Sequence, residues 1–175
     1  MKIGAIALDV WEDADWSPLH RAIYCKNHNE ILGFIRIGAY VTAKDNDFDL
    51  TPLHVAARYG TADVAAALIK AGAKPNSRCA YYQTAMHWAA KAHQPDIIRT
   101  LKKFGGFINP RDTNGDTLLH LALVPKPELQ TLLALFESGA DMLIKNQEGI
   151  APIQIGDYAL LERLKKMSNE TLRTK

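Results

Sequence analysis

The stretch Thr51-Pro52-Leu53-His54-Val55-Ala56-Ala57-Arg58-Tyr59-Gly60 opens on a tetrapeptide that the chain uses five times. Its other copies are Ser17-Pro18-Leu19-His20, Thr84-Ala85-Met86-His87, Thr117-Leu118-Leu119-His120 and Ala151-Pro152-Ile153-Gln154, and successive copies start 34, 33, 33 and 34 residues apart. A second column runs in step. Gly38-Ala39, Gly72-Ala73, Gly105-Gly106 and Gly139-Ala140 each follow their His by 18 or 19 residues. Two columns at one period mark a repeated supersecondary unit.

Each column has a local cause. Ser or Thr caps a helix because its hydroxyl accepts an orphan N–H of the first turn, and Pro in the next place has its φ already set. A helix is therefore predicted at each tetrapeptide. In the clearest copy Leu53, Ala56 and Ala57 form one helical face, small enough for a neighbouring helix to approach closely. Gly60 stops that helix. A second one follows from about Asp63 with Val64, Ala67 and Leu68 as its stripe, and ends at Gly72, where a left-handed cap suits glycine. Such a pair cannot bury its apolar face alone, so the copies must stack into a solenoid held by contacts between neighbours.

These residues resemble the ankyrin repeat, whose pattern is a hairpin finger, Thr-Pro-Leu-His, a short inner helix, Gly, an outer helix and Gly-Ala-Asp-x-Asn. Residues 46–78 match almost throughout, and the likeness covers about residues 14–167. It implies an all-α solenoid of stacked helix-turn-helix units with β-hairpin fingers, in one domain spanning residues 1–175. The repeats are placed at 14–45, 46–78, 79–112 and 113–145, with a shortened repeat and C-terminal cap at 146–175. Residues 1–13, whose Ile3, Ile6, Leu8 and Val10 include a period-2 apolar set, are expected to cap the other end.

Departures from the pattern locate irregular parts. The family has Gly two residues before the Thr, and here that place holds Asp15, Asp49, Tyr82, Gly115 and Gly149. Tyrosine is a poor occupant of a positive φ, so the finger at 79–83 is expected to be reshaped. Val124-Pro125-Lys126-Pro127 must end the fourth inner helix early. Gly156-Asp157 cuts the fifth short, and a last helix is predicted over Tyr158–Met167.

Composition narrows the function. The chain has 175 residues, 47% hydrophobic and 23% charged, an ordinary globular balance, and no apolar run reaches the roughly 20 residues of a membrane span. Cys25 and Cys79 lack a paired spacing and read as free thiols, which places the chain in the cytoplasm, its own cell's or a host's, with the nucleus also open. Phosphate-loop, dinucleotide, zinc-protease and serine-elbow motifs are all missing, so the chain reads as no enzyme, with no cofactor. His20, His54, His87 and His120 sit on stacked helices about 8 to 10 Å apart, whereas zinc gathers its ligands at about 2.0 to 2.3 Å. They read as structural imidazoles bonding the Thr cap and the finger backbone.

Net charge is +2, but residues 51–111 hold nine basic and two acidic groups between acidic flanks. Arg99, Lys102 and Lys103 are expected on an outer helix. Convergence of Arg58, Lys91, Arg78 and Arg111 on the concave side would favour an acidic or phosphorylated ligand, and a nucleic-acid binder using this block is the alternative reading. The first reading is a protein-interaction module acting by masking or tethering. The family's contact positions are the finger residues before the Thr and the two residues closing the inner helix. Carried over, they give Trp16, Tyr24, Phe48, Leu50, Arg58, Tyr59, Tyr81, Gln83, Lys91, Asn114 and Asp116 as partner-binding residues. The aromatics among them form a concave strip suited to anchoring a partner protein or a second copy of the chain. Trp88, in the place after the motif His, reads as core filling.

Overall fold

A computed structural model describes residues 16–173, with side chains to Met167; the expected cap at 1–13 and the start of the first repeat lie outside the described residues. Helices alternate in two rows. The inner row is α1 (Pro18–Tyr24), α3 (Pro52–Tyr59), α5 (Ala85–Lys91), α7 (Leu118–Ala122) and α9 (Pro152–Ile155). The outer row is α2 (His28–Arg36), α4 (Ala62–Lys70), α6 (Pro95–Lys103), α8 (Leu129–Glu137) and the final α10 (Tyr158–Arg173). Each inner helix packs on the next inner helix, and each outer helix on the next outer one. The solenoid is therefore as expected, and α10 runs six residues beyond its predicted end.

The core follows the repeat. Leu53, Ala56 and Ala57 of α3, Val64 and Leu68 of α4, and Leu101, Leu119 and Leu135 in later repeats are all buried. Burying one leucine side chain contributes about 1.5–3 kcal/mol, and these columns supply one or more per repeat. The four outer helices before α10 are nine residues each, whereas the inner ones shorten from eight residues in α3 to five in α7 and four in α9. Pro125 and Pro127 follow the end of α7, and Gly156-Asp157 the end of α9, as the sequence implies. Gly38, Gly72, Gly105 and Gly139 close the outer helices at φ from 78° to 106°.

The threonine column works differently from a simple cap. Thr51, Thr84 and Thr117 give no side-chain bond to the helix N–H groups. Instead the His three residues on turns back. Its Nδ1 accepts the Thr backbone N–H, at 3.1 Å for His54 and 3.0 Å for His87 and His120. That nitrogen is therefore unprotonated, and the Thr hydroxyls, 2.9–3.0 Å away, donate to it. The proton sits on Nε2. From His20, His54 and His120 it is donated across the repeat boundary to the carbonyls of Leu50, Gln83 and Ile150 at 3.0–3.1 Å. The imidazoles bond cap and finger, as expected, and each of these three stitches two repeats. Gln154 does half the same work in the last repeat, its Oε1 accepting the Ala151 N–H at 2.8 Å.

The fingers form a second stitch. Each closes on one backbone bond, Asp45 N–H to Leu50, Cys79 to Gln83, Asp112 to Asp116 and Asn146 to Ile150. The first spans one residue more than the others. Another bond links neighbouring fingers, from Ala80 N–H to Phe48, Thr113 to Tyr81 and Gln147 to Asn114. This is hairpin-like pairing, too short for a regular strand among the described residues. The expected reshaping at 79–83 does not occur. Tyr82 adopts φ +58°, as Asp49 does, and the closing bond is intact. Its ring is exposed and has the Arg78 guanidinium 5.2 Å above it, which offsets part of the roughly 1–2 kcal/mol cost of a left-handed residue.

Outside the helix rows, Asn76 and Asn109 make a third stitch. Each accepts a backbone N–H, from Phe107 and Asp141, and donates to a carbonyl, of Gly105 and Gly139, in the following repeat.

Candidate functional site

At the C-terminal ends of the inner helices the rings of three repeats meet. Tyr24 closes α1, and its ring meets the edge of Trp16 at 5.3 Å and that of Tyr59, closing α3, at 5.1 Å. Arg58 lays its guanidinium 5.3 Å from the Tyr59 ring and 5.7 Å from that of Trp88, one repeat further on. Lys91 follows Trp88 by one turn of α5. A row therefore runs Trp16, Tyr24, Tyr59, Arg58, Trp88, Lys91. T-shaped pairs and cation–π contacts of this kind contribute about 0.5–1.5 kcal/mol each and hold the side chains in place before any partner arrives.

Electrostatics single out the two cations. The Lys91 ammonium is pushed below its ordinary value, first by the packing that covers part of it, then by the neighbouring Arg58 charge, with Asp112 opposing. Burial raises the Tyr59 phenol, and Arg58 opposes that, so the ring stays neutral under the guanidinium. The wider convergence of basic groups does not form. Arg78 lies over Tyr82, Arg111 donates to the Gly115 carbonyl within its own finger, and Arg99 on α6 pairs with Asp96 and with Glu137 of α8.

The finger column before each Thr turns out to face its neighbour. Trp16 is only 7% exposed and its Nε1 donates to Asp45 at 3.3 Å. Gln83 Nε2 donates to Asp112 at 2.9 Å, and Asp116 accepts from Asn146 Nδ2 at 2.8 Å. Leu50 is 0% exposed. Leu50 therefore has no surface to offer a partner, and Trp16, Gln83 and Asp116 are occupied in joining fingers. The later residue in each of these links also braces its own finger: Asp45 Oδ1 takes the N–H groups of Phe48 and Leu50, Asp112 Oδ1 those of Asn114 and Asp116, and Asn146 Oδ1 those of Glu148 and Ile150.

Phe48 and Tyr81 form a separate pair, stacked at 5.8 Å between adjacent fingertips. Asn114 is exposed. Of the residues the sequence proposes, the structure groups Tyr24, Tyr59, Arg58 and Lys91 at the inner-helix ends and sets Phe48, Tyr81 and Asn114 along the fingers. Two features were missed. Trp88 is 7% exposed and fills the core, yet one face carries Arg58. Beyond Lys91, Val124 continues the same position into repeat four as an exposed apolar residue. Its spacing of seven residues from the first residue of the tetrapeptide, the same as that of Lys91, carried the signal.

Among the described residues no cluster of His, Cys, Asp or Glu could hold a metal ion, and no helix is long and apolar enough to cross a membrane. Both cysteines are free.

A family model described as ankyrin repeats in three copies matches residues 4–79 and 53–146. Over 145 residues the chain is 32% identical to the B-cell lymphoma 3 protein homolog of Mus musculus, covering 79% of this chain and 32% of that protein. Over 144 residues it is 32% identical to CAP-Gly domain-containing linker protein 3 of Homo sapiens, covering 73% of this chain and 25% of that protein. An inactive serine/threonine-protein kinase of Bos taurus is 28% identical over 136 residues, 9% of its length. The chain spans about a third or less of these relatives. On its repeated helix pairs, its Thr–His stitches and these matches, the chain belongs to the ankyrin-repeat family, which is typically non-catalytic and generally mediates contacts between proteins.

Proposed function

We propose that the chain binds a partner protein on its concave face, along the inner-helix ends of repeats one to three, and acts by masking or tethering that partner. The observation that carries this reading is the row Tyr24, Tyr59, Arg58, Trp88, in which rings and a guanidinium from three repeats hold one another rigid at a surface the stack does not need for its own stitching. Large rings with few rotors and an arginine are the residues that dominate interface energies. A preformed scaffold also loses little entropy on binding. The hydrogen bonds that join the repeats lie elsewhere, in the His, Asn and finger columns.

Ring-for-ring replacement by a photo-crosslinking benzoylphenylalanine tests the reading with little disturbance of packing. Placed at Tyr24 or Tyr59 in the full chain and irradiated in lysate of the source cell, it should give discrete protein adducts. The same probe at Tyr40 or Phe107, exposed rings just past the outer helices, should give none. Adducts at 40 and 107 without adducts at 24 and 59 would move the interface off the concave face.

A further inference from the structure

We propose that the seat formed by Arg58 and Lys91 receives the side-chain carboxylate of an aspartate or glutamate in a partner segment lying along the inner-helix ends. This rests on the concave-face reading above and names the chemistry that the face selects.

The seat is built from two neighbouring repeats. Arg58 has its guanidinium carbon 5.3 and 5.7 Å from the ring centres of Tyr59 and Trp88, and with five N–H donors it keeps some for an outside acceptor beside its contact with the Tyr59 hydroxyl. Lys91 stands one helical turn beyond Trp88, close enough for its charge to be felt against that of Arg58. The ion pairs among the described residues are Lys44 with Asp49 and Arg99 with Asp96 and Glu137, so neither cation of the seat belongs to one. Two like charges held near each other outside any ion pair form an electrostatic complement to an anion.

The sum of charge favours a carboxylate over a phosphoryl group. Asp112 lies near enough to oppose the effect of Arg58 on Lys91, and its two oxygens are already taken by Asn114 N–H, Asp116 N–H and Gln83 Nε2. Two cations with one carboxylate leave +1, which suits a monoanion, and a planar carboxylate fits the guanidinium edge by two parallel bonds. On either side the row carries apolar or aromatic side chains. Tyr24 and Tyr59 precede the seat, and Val124, at the position of repeat four equivalent to Lys91 and 53% exposed, follows it. The occupant is thus a protein segment with an acidic residue between apolar or aromatic ones.

Random twelve-residue peptides displayed on phage and selected against the full chain supply the probe. The best binder is synthesised with a fluorescent label, alongside versions in which its acidic residue is replaced by glutamine or by phosphoserine. Binding is followed by anisotropy against the native protein and against Lys91→Glu, Arg58→Gln and Tyr59→Ala variants, each first matched to the native protein by circular dichroism and melting temperature. Selected sequences should share an acidic residue at a fixed distance from an apolar one. The glutamine version should bind at least about tenfold more weakly, and the acidic peptide should lose as much on Lys91→Glu and on Arg58→Gln.

A selection without a shared acid, indifference to the glutamine exchange, or tighter binding of the phosphoserine version would overturn the carboxylate seat. If Tyr59→Ala still weakened such peptides, the concave-face reading would survive that failure. Peptides indifferent to all three variants would overturn both.

Discussion

Repeats two and three carry the same scaffold, yet nearly every departure from the pattern in the middle of the molecule falls in the third. In repeat two Leu53 and Ala73 are both buried, Asp45 braces the finger that leads into it, Val55 follows the motif His, and His54 reaches the Gln83 carbonyl at 3.1 Å. In repeat three the corresponding residues are Met86, Gly106, Cys79 and Trp88, and His87 makes its two bonds to Thr84 while its Nε2, near the backbone of Asp116 and Pro110, completes no hydrogen bond. The departures compensate one another. A Cβ built on Gly106 would lie 2.5 Å from Met86 Cε, so the longer side chain goes with the missing one. Cys79 stands in the brace position, where the partner across the finger boundary is Leu50, and both are buried. An apolar pair thus replaces the hydrogen-bonded pairs Trp16–Asp45, Gln83–Asp112 and Asp116–Asn146. The third repeat carries Trp88 and Lys91, the centre of the candidate interface. Regularity is lost where surface chemistry is concentrated.

The largest expected effect asks whether the two repeats share one weakness, acid. His54 and His87 are both pushed down to about 4, in each case first by burial, and carbonyl or carboxylate neighbours only partly oppose it. Folded, the imidazoles stay neutral until about pH 4, while in the unfolded chain they charge near pH 6.5. Between those values the unfolded state binds more protons, so stability is full above about pH 6.5 and falls as the pH drops toward 4. Each site contributes a loss on the order of 3 kcal/mol. Gln154 shows that glutamine can keep the backbone bond. Urea unfolding of the His54→Gln, His87→Gln double variant should therefore give a flatter pH profile than the native chain between pH 7 and 4.5. An unchanged slope would mean that the acid response lies elsewhere.

The next effect separates the repeats. Gly106→Ala puts a methyl group against Met86 Cε and the Leu101 carbonyl and should cost about 2 kcal/mol, read from the midpoint of chemical unfolding. Ala73 in repeat two makes the same backbone bond to Leu68 that Gly106 makes to Leu101, so the carbonyl contact alone is tolerable. Adding Met86→Leu should then recover most of the loss. Equal costs with and without Met86→Leu would show that the backbone, and not the side-chain exchange, separates the two repeats.

A smaller coupling is expected between the brace and its partner. Leu50→Gln alone buries an amide beside a thiol, and Cys79→Asp alone sets a carboxylate against leucine, each costing about 1–2 kcal/mol. Together they recreate the link that Gln83 and Asp112 make at 2.9 Å, and the double variant should recover about 1 kcal/mol over the sum of the singles. This coupling also shows what could be read in advance. The period, the helices, the stops at Gly60, Pro125 and Gly156 and the structural histidines follow from forces acting within one repeat, and all were legible. The direction of Trp16, Leu50, Gln83 and Asp116 was not, because each is decided by what the next finger offers, and a single position cannot show that. Trp88 was read as core and is core, but one face of its ring carries Arg58 from the repeat before it.

The smallest effect bears on Tyr82, among the described residues the one finger position at positive φ that is neither glycine nor a short polar side chain. Tyr82→Gly relieves roughly 1 kcal/mol of left-handed strain and gives back part of it in chain entropy and in the Arg78 contact, for a net gain below about 1 kcal/mol in thermal unfolding. The equivalent Gly115 cannot be changed in the opposite direction, since a Cβ there would stand 2.9 Å from the Gln147 backbone nitrogen. A strained tyrosine is thus tolerated only where the neighbouring finger leaves room. Its ring, next in sequence to Tyr81 and within reach of Arg78, extends the fingertip pair of Phe48 and Tyr81. A Tyr82→Gly variant that melts higher but captures less of the concave-face partner would place that fingertip inside the interface. A variant that melts higher and captures as much would leave the interface on the inner-helix ends.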